Sequence, residues 1–349
     1  MSEMVRKNSE LLYLYDAKLC NPNGDPDEEN KPRMDYETGR NLVSDVRLKR
    51  YLRDYWLSLS EEAWRKLGYD PKPDVWVRQL EDENRNAVRV SAKQRIDGLA
   101  KEFAQEKGKN YESAKQAVKD PEFRPWLLDK LIDMRIFGAT IPVGGEGERE
   151  RGEALPPLTG PVQFSWGWSL NKTEILPSAT ISSQFAGREQ EEKGQYGTFG
   201  KDWRVKYSLL AFYGTISAWR ACRTGLTNQD VQLLDRSLLE AVPLLATTRS
   251  KLGQTPRLYL RVEYKDDRTF LGDLRTGLRL ERDDGLEGID EVKLDSTGLI
   301  GQLERAKDKL EKVIFWRHPD FAAGRELEGA LKDALGEEVI HGVQPHGSA

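Results

Sequence analysis

Cysteine, histidine and long apolar runs are all scarce in this chain of 349 residues, and each scarcity removes a class of function. Cys20 and Cys222 stand alone, which fits a reducing cytoplasm. The three histidines, His318, His341 and His346, all lie near the C-terminus. None has metal-ligand spacing to a cysteine, so they read as surface residues and no metal centre is expected. No segment approaches the roughly 18 consecutive apolar residues of a membrane span. The opening MSEMVRKNSE lacks the apolar core of a signal peptide, so neither a signal peptide nor membrane contact is expected. No serine sits in a G-x-S-x-G elbow.

What is present is charge. Hydrophobic residues make up 38% and charged residues 32%, the composition of a globular chain with a real core. The net charge of −4 argues against a protein coated in positive potential. It leaves room for nucleic-acid binding in a local groove, because such binding depends on a patch rather than on the sum.

The chain is organised around Leu11 to Trp56. LLYLYDAKLC is an apolar, aromatic-rich run bounded by turn residues and reads as a strand. NPNGDPDEENKPRMDYETGRN cannot continue it, because Asn21, Pro22, Gly24 and Pro26 break the pattern. LVSDVRLKRYLRDYW then reads as a helix with Ser44 as N-cap. On a helical wheel Leu48, Tyr51, Leu52, Tyr55 and Trp56 share one arc, and Arg47, Lys49, Arg50 and Arg53 the opposite one. That basic arc has two readings, a solvated face or a phosphate-binding face.

This order of strand, NPNGDP loop and TGRNLVSDVRLKRYLRDY helix resembles the backbone subunit of type I CRISPR effector (Cascade) complexes, in particular subtype I-B. That family belongs to the repeat-associated mysterious protein (RAMP) superfamily. Weaker echoes follow in DMRIFGATIP, GPVQFSWGWSL and FGKDWRVKYSLLAFYGTISA, so the resemblance extends to about Tyr264.

Further along, a charged segment from about Ser58 to Asp133 reads as mostly helical, with PKPD and DPEFRP as punctuation. GGEGERERGEALPP crowds glycine with charge and is expected to be mobile. Gly160 to Leu170 reads as a strand with Val162, Phe164, Trp166 and Trp168 on one face. Ile175–Ile181 and Arg204–Leu210 can both be strands, and Val205 to Trp219 reads as a strand that turns helical late. Leu226 to Ala246 reads as a core helix with Thr227 as N-cap and Val231, Leu234, Leu238, Leu239 and Val242 as its stripe. Arg257 to Tyr264 alternates as a strand. The pattern alone gives βαββαβ, the ferredoxin-like order. Lys265 to Thr297 is acidic and loop-rich, and Leu299–Trp316 and Arg325–Leu335 read as helices.

The expected fold is therefore α+β, and the resemblance makes it a modified RNA-recognition-motif core. Residues 1–57 and 134–265 form the core, or palm, and 180–202 within it protrude as a hairpin, the thumb. Residues 58–133 form a finger-like helical insertion, and 266–349 a C-terminal helical and loop segment. The implied function is a CRISPR RNA-binding subunit that polymerises along the guide and presents it to the target DNA strand, without a cofactor. The implied partners are CRISPR RNA, target DNA, identical copies and the other Cascade subunits. The RNA-binding candidates are Asn21, Asn23, Gly24, Arg40 and Asn41 on the loop, Arg47, Lys49, Arg50 and Arg53 on the helix, and Gln184, Phe185, Arg188 and Lys201 on the protrusion.

Catalytic alternatives are weak. GQYGTFGKD mimics a phosphate loop, but Gln195 stands where the first glycine belongs and Asp202 follows Lys201 in place of Ser or Thr. The alternating oxygens from Asn21 to Glu29 suggest calcium, but Pro26 and Pro32 occupy the required Gly and Glu positions. One rival stands: in type III relatives of the superfamily a loop aspartate cuts RNA with a metal's help, and Asp25 or Asp27 sits in the comparable loop of 21–29. An unrelated ferredoxin-like binding module is the remaining alternative.

Overall fold

The computed structural model describes residues 2–81, 87–88, 90–141, 157–177, 180–183, 198–343 and 345. The chain forms two compact units. One is Met1–Lys7, Arg53–Gln163 and Ile216–Leu234; the other is Asn8–Leu52, Phe164–Thr215 and Asp235–Ala349. Among the described residues no helix is long and apolar enough to cross a membrane.

The second unit is built on a mixed sheet whose central strand is Ser9–Cys20. Leu12 and Leu14 face one core cluster, while Tyr13 and Tyr15 pack on the other side beside Phe212. Burial on both faces explains why this stretch is nearly continuously apolar rather than alternating. It pairs on one edge with Gln254–Tyr264 and on the other with Val205–Ile216. Beyond these lie Leu310–Arg317 and Ile340–Gly342 on the first side, and Gly167–Lys172, Arg40–Val43 and Met34–Asp35 on the second. The helices Asp45–Ser58 and Asn228–Leu245 follow the first and third of the four central strands in chain order. Arg261, fully buried, reaches from the sheet to Asp235 of the second helix with two 2.9 Å hydrogen bonds, and Tyr259 Oη adds a third at 2.6 Å.

Both helix starts follow the sequence. Arg47 N donates to Ser44 Oγ at 3.3 Å. Thr227 and Asp230 cap reciprocally, Asp230 N donating to Thr227 Oγ1 at 3.2 Å and Thr227 N to Asp230 Oδ2 at 2.9 Å.

Two expectations need correction. Gly160–Leu170 is not one strand: Val162–Phe164 and Gly167–Lys172 are separated by Ser165 and Trp166. The break flips the phase, so Trp166 is 46% exposed while Gly167 and Ser169 turn inward. Gly167 is required there because a Cβ would stand 2.5 Å from the Phe212 ring. Leu299–Trp316 is a helix only at Thr297–Arg305; Leu310–Arg317 is a strand antiparallel to Gln254–Tyr264. Its Leu310, Val313 and Phe315 are buried, and the β-branched and aromatic run KVIFW suits a pleated surface. DPEFRP does punctuate the segment: Asp120–Glu122 form the turn between the helices Ala114–Ala117 and Phe123–Lys130, and Pro125 enters the first turn of the second, where the missing N–H costs no hydrogen bond.

A separate antiparallel ladder joins Thr180–Ser183 to Thr198–Lys201 in register Thr180 with Lys201 and Ile181 with Gly200. Ile175 bridges Val205 below it. Residues 184–197 lie outside the described residues, as do 142–156, which contain most of the glycine-rich charged segment.

The first unit is helical. Ala92–Glu106 opens with a complete capping box of Ser91 and Gln94, and its Ile96, Leu99 and Phe103 pack on Phe123 and Leu127. Two buried carboxylates tie it together. Asp230 accepts from Arg135 Nε at 3.0 Å, from Arg135 Nη2 at 2.9 Å and from Tyr69 Oη at 2.9 Å. Asp133, 1% exposed, accepts from Arg53 Nε at 2.7 Å and from Trp76 N at 2.7 Å.

These placements set two stability expectations, measurable by chemical denaturation. Arg53→Ala strands the Asp133 charge and is expected to lower stability by about 3–5 kcal/mol, part of which Asp133→Asn in the same chain restores. Gly167→Ala is expected to cost about 1–3 kcal/mol by overpacking against Phe212, and Trp166→Ala within about 0.5 kcal/mol. The reverse ranking would mean that the strand phase is wrong.

Candidate nucleic-acid interface

The loop after the central strand is shaped by its own asparagines. Gly24–Asp25 pairs antiparallel with Lys31–Pro32. The chain returns between them through a single turn of 3-10 helix at Pro26–Glu28, followed by Glu29 and Asn30 at φ 50 and 62. Asn21, 2% exposed, donates through Nδ2 to Asn30 O at 2.7 Å. Gly24 is pressed against Asn30, whose Oδ1 would lie 1.9 Å from an added Cβ. Asn23 Oδ1 accepts from Ser44 N at 2.9 Å and Ser44 Oγ at 3.0 Å, tying the loop to the start of the central helix. Asn41, fully buried, donates to Arg33 O at 2.9 Å and accepts from Ser208 Oγ at 3.1 Å. Arg40 Nη1 donates to Ser169 O at 2.6 Å and Leu170 O at 2.7 Å. These five candidates thus set the shape of the loop and its attachment to the sheet.

The four helix cations have different surroundings. Lys49 is 9% exposed and ion-paired with Asp45 at 3.0 Å. Arg53 is 8% exposed and bound to Asp133. Both lie beside Trp56 on the wheel, where the buried arc is wider than the apolar one, while Val46 is 64% exposed. Arg47 and Arg50 are half-buried, and the Arg47 guanidinium lies 4.0 Å from the Tyr51 ring centroid. Among the protrusion candidates Lys201 is exposed at the base of the ladder. Gln184, Phe185 and Arg188 lie outside the described residues.

The structure adds groups that sequence reasoning did not single out. Trp203 receives two cations, Lys31 Nζ at 5.0 Å and Lys201 Nζ at 5.8 Å from its ring centroid. One comes from the loop and the other from the ladder, so the two segments meet at one indole. Neither ammonium has a carboxylate partner among the described residues. Arg33 stands 5.8 Å from the Trp166 ring centroid and is ion-paired with Asp25 at 2.8 Å. Lys251 Nζ donates to Asn21 O at 2.5 Å. The available signal was a lysine late in the loop and a tryptophan directly after GKD; their meeting depends on a strand pairing that sequence spacing does not show.

The arrangement is a cation-bearing loop held by its own side-chain hydrogen bonds. Asp25 uses both oxygens locally, Oδ2 on Arg33 and Oδ1 on Asp27 N at 3.2 Å. Burial pushes the Cys20 thiol up to about 12, which keeps it neutral. Among the described residues no three His, Cys, Asp or Glu side chains converge on one point.

Chains from two solved CRISPR RNA-guided surveillance complexes, one of them described as pre-nicking, align with this chain at 15% and 12% identity. The alignments cover 94% of this chain and 99% of the other in both cases, with TM-scores of 0.47 for the pre-nicking complex and 0.44 for the second. A CRISPR-associated protein Cas7 from Haloferax volcanii is 32% identical over 343 residues, covering 95% of this chain and 90% of that protein. Residues 7–296 match the family described as CRISPR-associated protein Cas7, and with that match spanning most of its length the chain belongs to the Cas7 family.

Proposed function

We propose that this Cas7-family chain is the guide-RNA-binding backbone subunit of a type I Cascade complex of the subtype I-B kind. Identical copies line up along the CRISPR RNA, hold it for pairing with the target DNA strand and contact the other subunits, in the cytoplasm. The observation that carries this reading is the meeting of Lys31 and Lys201 on Trp203, two cations without a carboxylate partner among the described residues. Cations so placed hold phosphates, and phosphate contacts position a strand without reading its sequence. Sequence recognition then falls to base pairing between guide and target.

The four central strands, in spatial order Gln254–Tyr264, Ser9–Cys20, Val205–Ile216 and Gly167–Lys172, support reading the core as a modified RNA-recognition motif. On this reading 1–57 and 134–265 are the palm, 58–133 the finger-like insertion and 266–349 the C-terminal segment. The ladder Thr180–Ser183 with Thr198–Lys201 is the base of the thumb of 180–202, whose aromatic tip wedges between bases. Non-catalytic action is supported by Asp25, whose two oxygens are engaged by Arg33 and Asp27 N.

Coexpression with a CRISPR array, followed by sequencing of the copurifying nucleic acid, tests the reading. Uniform spacer-containing RNA is expected; clean monomer without RNA would overturn the guide-binding reading. In RNA titrations at several salt concentrations, Lys31→Ala with Lys201→Ala is expected to weaken binding and lower the salt slope by about 1.4, roughly 0.7 per phosphate contact. Labelled complementary RNA incubated with the complex and magnesium or manganese is expected to stay intact. Regularly spaced cuts that disappear in Asp25→Ala or Asp27→Ala would establish a ribonuclease instead.

A further inference from the structure

The acidic stretch 265–297 takes no part in holding a guide, yet part of it is a built surface. Arg279–Leu280 pairs antiparallel with Leu294–Asp295, and residues 281–293 run between them. Leu286 and Val292 are buried in the core of the second unit, and Lys172 N donates to Asp283 O at 2.6 Å, so the loop is held at several points. Six carboxylates stand on it between Glu281 and Glu291. Four find cations: Glu281 with Lys293 at 3.8 Å, Asp283 with Arg40 at 3.8 Å, Glu287 with Lys206 at 2.7 Å, and Glu291 with Arg282. Asp284 and Asp290 are exposed and have no basic partner among the described residues.

The short helix Ala218–Thr224 of the first unit carries the opposite charge. Its Ala218, Ala221 and Thr224 are buried, which turns Trp219 and Arg223 outward. Ser217 fixes its start, Ser217 N donating to Pro161 O at 3.0 Å and Ser217 Oγ accepting from Arg220 N at 3.4 Å. Trp219 is 54% exposed. The Arg223 guanidinium lies 3.9 Å from its ring centroid and the Arg220 guanidinium 5.5 Å. Neither guanidinium has a carboxylate partner among the described residues. A single exposed aromatic is ordinary on a protein surface. An exposed indole that gathers two unneutralised cations is not accounted for by folding. The ring face attracts both guanidiniums and restricts their rotamers. Their in-plane N–H groups stay open, and that planar fork matches a carboxylate. Trp and Arg are also the side chains that most often dominate the energetics of protein interfaces.

We propose that Trp219, Arg220 and Arg223 form a docking patch for the 281–291 loop of a neighbouring copy of this chain, with Asp284 and Asp290 taking the two guanidiniums. This rests on the reading of identical copies along a guide and deepens it. In such a row the contact is head-to-tail, each copy offering its loop to one neighbour and its patch to the other. Charge selects a second copy as the partner: one segment holds two cations without a partner, another holds two carboxylates without one, and every copy carries both. A nucleic-acid strand would satisfy the cations but leave Asp284 and Asp290 unanswered.

Two measurements test this. Native mass spectrometry counts the copies per guide in complex purified after coexpression with a CRISPR array. Fluorescence anisotropy reads the affinity of the full chain for an RNA too short to hold two copies. Arg220→Glu with Arg223→Glu is expected to lower the count by weakening copy-to-copy association about tenfold, with short-RNA affinity unchanged. Asp284→Lys with Asp290→Lys is expected to do the same, and all four substitutions together to restore the wild-type count. Arg220 is half-buried, so Arg220→Gln with Arg223→Gln serves as a milder second variant, and circular dichroism melts confirm that each variant folds. A full count in both arginine variants would overturn the patch. A fourfold variant no better than either parent would overturn the 281–291 loop as its occupant. Loss of short-RNA affinity in the arginine variants would assign the patch to nucleic acid and overturn the contact between copies. A wild-type chain that recovers no RNA would overturn the guide-binding reading instead, and sedimentation velocity of the RNA-free chain at low salt then reads the contact by itself. Self-association lost in the arginine variants and regained in the fourfold variant would support the contact there; a monomer throughout would overturn it too.

Discussion

Closing a sheet on both edges of Ser9–Cys20 is the constraint on which the second unit depends. A buried strand must have its backbone groups paired, and the partners, Val205–Ile216 and Gln254–Tyr264, come from far along the chain. The entropy of closing such loops grows only with the logarithm of their length, so the long stretch between Ser58 and Gly167 is tolerated. The strand also carries acids into the interior, and these must find donors. Glu10 accepts from the Tyr213 and Tyr264 hydroxyls, and from Leu271 N at 2.6 Å and Gly272 N at 2.9 Å. Asp16 pairs with Arg257 at 2.9 Å, yet burial outweighs that partner and its carboxyl sits above the usual range. Each acid thus ties the strand to segments that arrive late in the sequence.

The same strand end determines what the loop can do. Side-chain amides at Asn21, Asn23 and Asn41 provide hydrogen bonds that a regular ladder would otherwise supply. With the backbone held from within, the cationic side chains at Lys31, Arg33 and Arg47 are set against aromatic rings. A cation resting on an indole or phenol keeps its charge and loses rotamer freedom before any ligand arrives, which lowers the entropic cost of binding.

The central strand, the two sheet-covering helices and their N-caps were legible because each rests on local signals: apolar period, turn residues and capping chemistry. Errors arose where a local pattern met a distant partner. Trp166 and Trp168 alternate with Phe164 in sequence, but the close approach of Gly167 to Phe212 breaks the strand and shifts the phase. Leu310–Arg317 continues a charged helical pattern on paper, and pairing with Gln254–Tyr264 makes it a strand. For the site, the wheel separates the basic arc from the apolar one but cannot show that Arg53 meets Asp133, eighty residues away. Lys31, Trp203 and Lys251 gave no motif at all, because they become neighbours of the loop only through pairing between remote segments.

An acidic chain that binds RNA through a few local cations has a particular energetic shape. With a net charge of −4, the long-range field of an isolated copy opposes a polyanion. On the proposed reading, attraction then comes from short-range contacts at places such as Trp203, where two ammonium groups converge. Such contacts are individually weak and fade with salt. On the proposed reading they act in series: a copy that docks beside another already on the strand adds its contacts at high effective concentration. Binding by single copies to stray RNA stays poor, while a row of copies on one guide accumulates affinity. A strongly basic chain would gain affinity for every RNA in the cell and lose that distinction. The modest local charge and the overall acidity are therefore parts of one specificity argument, in which selection lies in the length of strand occupied rather than in any base contacted.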